Sequence, residues 1–232
     1  MLEIRSSEKE QMDNLNLGGK PLKKTLDGLS LINKLLGNTN ATFKAIQPVL
    51  QDAQNHLTVI DLGCGGGDNL RKIANWCYQK NIKARLIGID GNQHILDYAL
   101  AKNTPQIQVE YVQADILAPE FEIPYCDVLL SSHFMYHFSD KGFVDFLKTA
   151  KHHVRRTIIF SELERNSLAY RLFSFTSFFM PFSDIVKRDG KQAIKRAFTK
   201  EELESVFEQA GIEDYSIEKK WAFRFLVETK TF

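Results

Sequence analysis

Apolar residues recur at spacings of three and four along Pro21–Leu36, at Leu22, Leu26, Leu29, Ile32, Leu35 and Leu36. That period marks an amphipathic helix, with Pro21 suited to its first turn and Gly37 to its stop. A second helix is predicted over Ala41–Ala53. The period then changes. Leu57–Leu62 is a short apolar run closed by Gly63-Cys64-Gly65-Gly66-Gly67, the pattern of a buried strand and a tight loop. Helices are expected over Asp68–Lys80, Gln93–Lys102 and Lys141–His152, and strands over Ala84–Ile89, Ile107–Gln113, Cys126–Ser131 and Thr157–Glu162. Strands alternating with helices imply a parallel sheet with right-handed crossovers.

The end of the chain departs from this alternation. Thr199 and Glu202 have the spacing of a capping box, opening a helix that runs to about Gln209 and stops at Gly211. Tyr215–Lys219 and Phe223–Thr229 are β-rich and too close for a crossover helix, so they form an antiparallel hairpin. The expected fold is α/β: a seven-stranded, mostly parallel sheet with helices on both faces and a C-terminal antiparallel hairpin. Residues 1–56 form a helical lead-in, with polar Met1–Lys20 as a flexible start. Residues 57–232 form the main domain, with a helical cap insertion at about 164–198.

A length of 232 residues suits one large α/β domain. The net charge of +1 gives no drive toward nucleic acid, so no nucleic-acid partner is expected. Cys64, Cys77 and Cys126 make no CxxC pair, which argues against a zinc site or a disulfide framework and for a cytoplasmic setting; no metal is expected. Met1–Glu10 lacks the apolar core of a signal peptide. No apolar run is long enough for a membrane span; Leu168–Val186 comes nearest and is broken by Arg171, Pro181 and Asp184. Lys187-Arg188, Lys191 and Lys195-Arg196 read as a solvated face, with an anion role or a membrane-surface role through weak peripheral association as the other reading.

The loop at Asp61–Asp68 carries the strongest chemistry. Glycines after a buried strand let a ligand approach the backbone at the sheet's carboxyl edge; a tight turn without ligand is the plainer alternative. A dinucleotide fingerprint would want glycine at the sixth position of GxGxxG, where this chain has Asp68. Asp61 and Asp68 suit a ligand with an ammonium group better than a diphosphate. Asp90, at the end of the second strand, can accept from both hydroxyls of a ribose or serve as a helix cap. Asp115 can take the exocyclic amine of adenine, with Ile116 on the ring, or simply hold a turn.

In order and spacing, VIDLGCGGGD, LIGIDGN, VQADIL, CDVLLSSHFMYHF and TIIFSELE resemble the class I S-adenosylmethionine-dependent methyltransferases. The resemblance implies a Rossmann-like fold and S-adenosylmethionine as cofactor. It implies that Asp61, Gly63 and Gly65 hold the methionine end, Asp90 the ribose, and Asp115 with Ile116 the adenine, with Cys64 and Gly91 also in the cofactor-binding set. Ser131 belongs to the same implied set. Glu10-Gln11-Met12-Asp13, Leu31–Gly37, Arg188-Asp189-Gly190 and Arg196–Thr199 are similar to a bacterial subgroup close to the ubiquinone/menaquinone methyltransferases, often associated with type III polyketide synthases. Where that subgroup often has His-His after the fourth strand, this chain has Tyr136-His137, and Glu162–Arg165 stands where Asn-Asp is expected.

Methyl transfer from a sulfonium to oxygen needs positioning, exclusion of water and removal of the acceptor's proton. His137 and His133, flanking the fourth-strand tip, are the candidate bases, and each could instead be structural; Glu162 is a second-line candidate. The Phe-rich segment Leu168–Pro181 can close over the same edge as a lid for an apolar acceptor, or serve as a core or dimer contact. The expected partner is a hydrophobic phenolic or quinone-like small molecule, methylated by a monomer or homodimer. A cofactor-binding but inactive regulatory protein on the same fold is the alternative.

Overall fold

The computed structural model describes residues 2–52 and 56–230. The last residue of the second predicted helix, Ala53, and the terminal Met1, Thr231 and Phe232 lie outside the described residues. The strands are β1 (Leu57–Leu62), β2 (Ala84–Asp90), β3 (Glu110–Gln113), β4 (Cys126–Ser132), β5 (Val154–Leu163), β6 (Tyr215–Lys220) and β7 (Arg224–Thr229). They form one sheet in the order β3-β2-β1-β4-β5-β7-β6. β1 to β5 are parallel, and β7 enters antiparallel between β5 and β6, as the hairpin reading requires. The helices are α1 (Gly19–Leu35), α2 (Asn38–Gln51), α3 (Asp68–Lys80), α4 (Gln93–Leu100), α5 (Asp140–His153), α6 (Ser167–Phe179), α7 (Asp184–Arg196) and α8 (Lys200–Ala210).

Alternation along the strands divides the core in two. Ile60 and Leu62 of β1 join Leu129 and Phe160 against Phe143 and Leu147 of α5 and Phe207 of α8. Leu57 and Val59 of β1 join Val128 and Leu130 against Ile46 and Leu50 of α2 and Leu70 and Ile73 of α3. The second lead-in helix therefore shares a core with the sheet it precedes. Asp61 lies between these apolar positions, at the carboxyl end of β1. The sheet order reverses between β2 and β4 on either side of β1, which opens a crevice above that end.

Local signals explain several boundaries. Thr199 Oγ1 accepts from the Glu202 N–H at 3.3 Å and Glu202 Oε2 from the Thr199 N–H at 2.8 Å, completing the capping box that opens α8. β3 is shorter than expected. Thr104 and Ile107 bond reciprocally at 3.1 and 3.0 Å around Pro105, which uses their backbone in a turn, and pairing with β2 begins only at Glu110.

The polar start is not a loose lead-in. Arg5 donates to the carbonyls of Tyr136 at 2.9 Å, Phe138 at 3.0 Å and Arg196 at 3.0 Å, and pairs with Asp140. Asp189 of α7 accepts from the N–H groups of Gln11 at 3.0 Å and Met12 at 2.9 Å. These bonds seat the arm across the carboxyl edge of the sheet. They join residues 131 to 191 positions apart in sequence, so local composition does not reveal them.

Candidate functional site

A cavity of about 1280 Å³ lies over the carboxyl ends of the strands. Its floor is the glycine loop and Asp90; its walls come from the N-terminal arm, α1, the turn after β4, α6, α7 and the β6–β7 turn. Asp61, Gly63, Cys64, Gly65, Asp90, Gly91, Asp115, Ile116, His133 and His137 all line it, so ten of the residues singled out in the sequence meet in one space. Ser131 does not line it. It is fully buried and its Oγ donates to the Leu62 carbonyl at 3.0 Å, tying β4 to β1. Its neighbour Ser132 reaches the cavity instead and accepts from Asn69 Nδ2 at 3.1 Å. Pleat alternation sends adjacent residues to opposite faces, so a one-residue error in register changes the assignment.

The glycines divide by role. Gly63, with φ of +64°, has the Phe134 ring 2.5 Å from where a Cβ would stand, so its hydrogen is needed to pack that ring. Gly65, with φ of +51°, has no protein atom within 4 Å of its Cβ position. A side chain there would enter the cavity itself. Gly91 makes room for Leu15 of the arm, whose Cδ2 lies 2.8 Å from its Cβ position.

The acids are held in distinct ways. Asp61 is 1 % exposed and its Oδ1 has no hydrogen-bond partner among the described residues. Burial pushes its pKa up to about 7, against the pull of Asn69. An orphaned carboxylate oxygen at the end of a cavity is suited to the ammonium of a zwitterionic ligand. Asp90 accepts from the Gly65 N–H at 3.1 Å and the Asn92 N–H at 3.0 Å, one bond per oxygen. Burial raises its pKa and these two bonds oppose the rise. The cap of α4 is Asn92, whose side chain accepts from the His94 N–H, so Asp90 is not the helix cap. Asp115 Oδ1 accepts from the Leu117 N–H at 3.0 Å and holds a turn, while Ile116 packs beside it, 4 % exposed. The donor set therefore fits S-adenosylmethionine: an unfilled buried carboxylate, a side-chain-free gap over Gly65, and an acid with lone pairs to spare at the end of β2.

The two histidines differ. His137, in the 3-10 turn Met135–His137, has its Nδ1 3.2 Å from Asp13 Oδ1. Asp13 Oδ2 also accepts from Arg196 at 2.8 Å, and Arg196 lies 3.5 Å from Glu10. Burial pushes the Asp13 carboxyl up, but the bonds and charges of His137 and Arg196 outweigh it and hold it at about 2. Burial pushes neighbouring Glu10 up to about 8, with Arg196 opposing. Glu10, Asp13 and His137 stand close enough for a metal ion, but the cation among them is the Arg196 guanidinium. His133 is half-buried, with φ of +55°, and its Nε2 accepts from Arg224 Nε at 3.1 Å. Burial and then the Arg224 charge push its pKa down to about 3. That nitrogen has no free lone pair for an acceptor's proton.

Glu162 faces inward. Its Oε1 accepts from the N–H groups of Phe134 at 3.2 Å and Met135 at 3.1 Å, which orients the turn carrying His137. It does not line the cavity. Within Leu168–Pro181, Ala169, Leu172, Phe173 and Thr176 line the cavity, while Phe175, Phe178 and Phe179 turn to the surface, each about two-thirds exposed or more. Only one side of the Phe-rich segment is thus available to an acceptor. Asp13 and Asp189 belong to the segments similar to the bacterial subgroup, which give them no site role, and Arg224 lies in no motif.

Residues 59–157 match the methyltransferase domain family. No curated protein matches the sequence. Among solved structures, the magnesium protoporphyrin IX methyltransferase of Synechocystis with bound SAM is similar at 12% identity and a TM-score of 0.61, covering 99% of this chain and 100% of that one. A SAM-dependent methyltransferase from Aquifex aeolicus is similar at 15% identity and a TM-score of 0.63, covering 92% and 100%. An O-methyltransferase family 2 protein from Planctomyces limnophilus, in complex with apigenin, is similar at 15% identity and a TM-score of 0.62, covering 92% of this chain and 62% of that one. Among the described residues no helix is long and apolar enough to cross a membrane. With the glycine loop, the crevice at β1 and the sheet order in agreement, residues 59–157 form a class I, S-adenosylmethionine-dependent methyltransferase domain on a Rossmann-like sheet.

Proposed function

We propose that the protein methylates an oxygen of a hydrophobic phenolic or quinone-like small molecule, in the manner of the ubiquinone/menaquinone-type and type III polyketide synthase-associated methyltransferases. One observation carries the reading: a single cavity runs from the glycine loop to an apolar wall built by α6 and α7, with His137 in the wall between. Its size exceeds what a nucleoside cofactor alone needs. That an O-methyltransferase of the same fold accommodates apigenin is in keeping with an aromatic acceptor.

In this reading Asp61 receives the cofactor's ammonium, Gly63, Cys64 and Gly65 shape the methionine end, Asp90 and Gly91 take the ribose, and Asp115 and Ile116 the adenine. The cofactor supplies an activated methyl group, so the chain's own residues mainly position, desolvate and deprotonate the acceptor. Asp13 receives the Nδ1–H of His137, which fixes the tautomer and leaves Nε2 to accept the acceptor's hydroxyl proton. The arm, with Leu15 against Gly91 and Gln11 and Met12 tied to Asp189, closes the cavity to water.

The test is turnover of labelled S-adenosylmethionine against a panel of phenols and quinols with apolar substituents. Product methylated on oxygen is expected. Transfer only to carbon, to nucleic acid or to protein, or cofactor binding with no transfer to any member, would reject the reading.

A further inference from the structure

Arg224 opens β7 with only 3 % of its surface exposed, yet it lines the cavity. Two of its five N–H groups are engaged: Nε donates to His133 Nε2 at 3.1 Å, and Nη1 donates to the Leu36 carbonyl at 3.2 Å. Among the described residues nothing accepts from Nη2, and no carboxylate pairs with the guanidinium. The other arginines of the interior are each matched with an acid, Arg5 with Asp140, Arg165 with Glu202, and Arg196 with Asp13 and Glu10. A buried charge without a counter-charge is costly and needs a reason to persist.

The corner around it carries a second cost. His133, Ala222 and Phe223 are non-glycine residues with left-handed backbone, at φ of 55°, 63° and 55°, and all three line the cavity. Ala222 and Phe223 lead directly into Arg224, and His133 is its hydrogen-bond acceptor. Strain of this kind, concentrated on one side chain and held by the surrounding fold, accompanies binding sites. His133 stays neutral because burial and Arg224 hold its pKa near 3, so it serves as an acceptor that aims the guanidinium.

We infer that Arg224 is an anion subsite that receives a carboxylate carried by the methyl acceptor. A single guanidinium with Nη2 and part of Nη1 unfilled matches the two oxygens of a planar carboxylate. A phosphate would want further cations, and Glu164, on the same wall, is an acid paired with Lys219. The subsite addresses the acceptor and not the cofactor. β4 and β5 stand between β1 and β7, so Arg224 starts three strand spacings, about 14 Å, from the glycine loop. The inference rests on the proposed function only in placing the acceptor in this cavity.

The test is calorimetric titration of the full chain saturated with S-adenosylhomocysteine. The probes are 4-hydroxybenzoate, benzoate and decanoate, each beside its carboxamide. At least one acid should bind tenfold or more tightly than its amide. Arg224→Gln should erase that preference, Arg224→Lys should keep part of it, and affinity for S-adenosylhomocysteine should be unchanged in both. If Arg224→Gln fails to fold, Arg224→Lys remains decisive, because the geometry of the fork is then lost while the charge stays. No acid-over-amide preference in any of the three series overturns the inference. So does a full preference persisting in Arg224→Gln or Arg224→Lys, or a loss of S-adenosylhomocysteine binding at an unchanged melting temperature. A preference seen equally with benzoate and 4-hydroxybenzoate, with no methyl transfer to the latter, supports the anion subsite while counting against the phenolic acceptor.

Discussion

His137 Nδ1 lies 3.2 Å from Asp13 Oδ1, so a residue of the N-terminal arm touches the imidazole that follows the fourth strand. Asp13 is held ionised down to about pH 2, which keeps its acceptor oxygens available at any working pH. His137→Ala should slow methyl transfer by roughly a hundredfold or more if the imidazole takes the proton. Asp13→Asn should slow it by about tenfold or more, since an amide can present its N–H to Nδ1 and favour the wrong tautomer. Single-turnover rates across pH 5.5–9 make the check. Rates matching the parent in both variants would mean that positioning alone drives the step.

Gly63 and Gly65 lie two residues apart and should fail differently. Gly63→Ala puts a methyl into the Phe134 ring, so the loss should fall on the fold, by about 1–3 kcal/mol of stability. Gly65→Val meets no protein atom, so it should cost only the strain of its positive φ, about 1–2 kcal/mol, while removing cofactor binding. Thermal melts with and without S-adenosylhomocysteine separate the two. A Gly65→Val protein that still gains a full ligand-induced shift in Tm would make the loop structural.

Much of the fold was legible because its signals are local. The apolar run ending in glycines set β1, and α3 occupies the span read from its periodicity, Asp68–Lys80. Thr199, Glu202 and Gly211 bound α8 by their own side chains and backbone. The cavity floor was legible for the same reason, since each of its residues sits at a strand tip. What was missed is long-range. Asp13 and Arg196, Gln11 and Asp189, and His133 and Arg224 meet only after the chain has folded. Nothing within either partner's neighbourhood marks the pairing. Ser131 failed for another reason: at a strand end, one step along the pleat separates the sheet's interior from the cavity.

Glu162 should act on stability. Its Oε1 satisfies two backbone N–H groups of the turn before His137, and burial lifts its pKa to about 7 in spite of them. Glu162→Ala would strand both donors and should cost about 1–3 kcal/mol for each. Glu162→Gln keeps an acceptor and should cost far less. The pH sign follows from the raised pKa. Between the ordinary glutamate value of 4.5 and about 7 the unfolded chain has lost a proton that the fold still holds, so stability declines as pH rises through that window. Denaturant titrations at pH 5 and 7.5 should show that decline, smaller in Glu162→Gln. A decline equally steep in the variant would assign it to other buried acids, such as Glu10 and Asp61.

Cofactor binding should release a proton through Asp61. In the free protein burial holds a proton on its carboxyl up to about pH 7, and Oδ1 has no partner among the described residues to offset that. An ammonium seated against it favours the carboxylate, so binding and ionisation are linked. Affinity for S-adenosylhomocysteine should therefore climb as pH rises from 5.5 toward 7, by up to about tenfold per unit, and level off above. It should fall again once the ligand's own amino group, with an ordinary pKa of about 8, loses its proton. Calorimetry in two buffers of different ionisation enthalpy would count the proton directly at pH 6. Asp61→Asn, nearly the same in shape, should bind more weakly and flatten the rising limb. Asp90, whose carboxyl is also raised by burial, could produce a similar limb, and Asp90→Asn serves as the control. A rising limb intact in Asp61→Asn and absent in Asp90→Asn would move the linked proton, and with it the ammonium contact, away from Asp61.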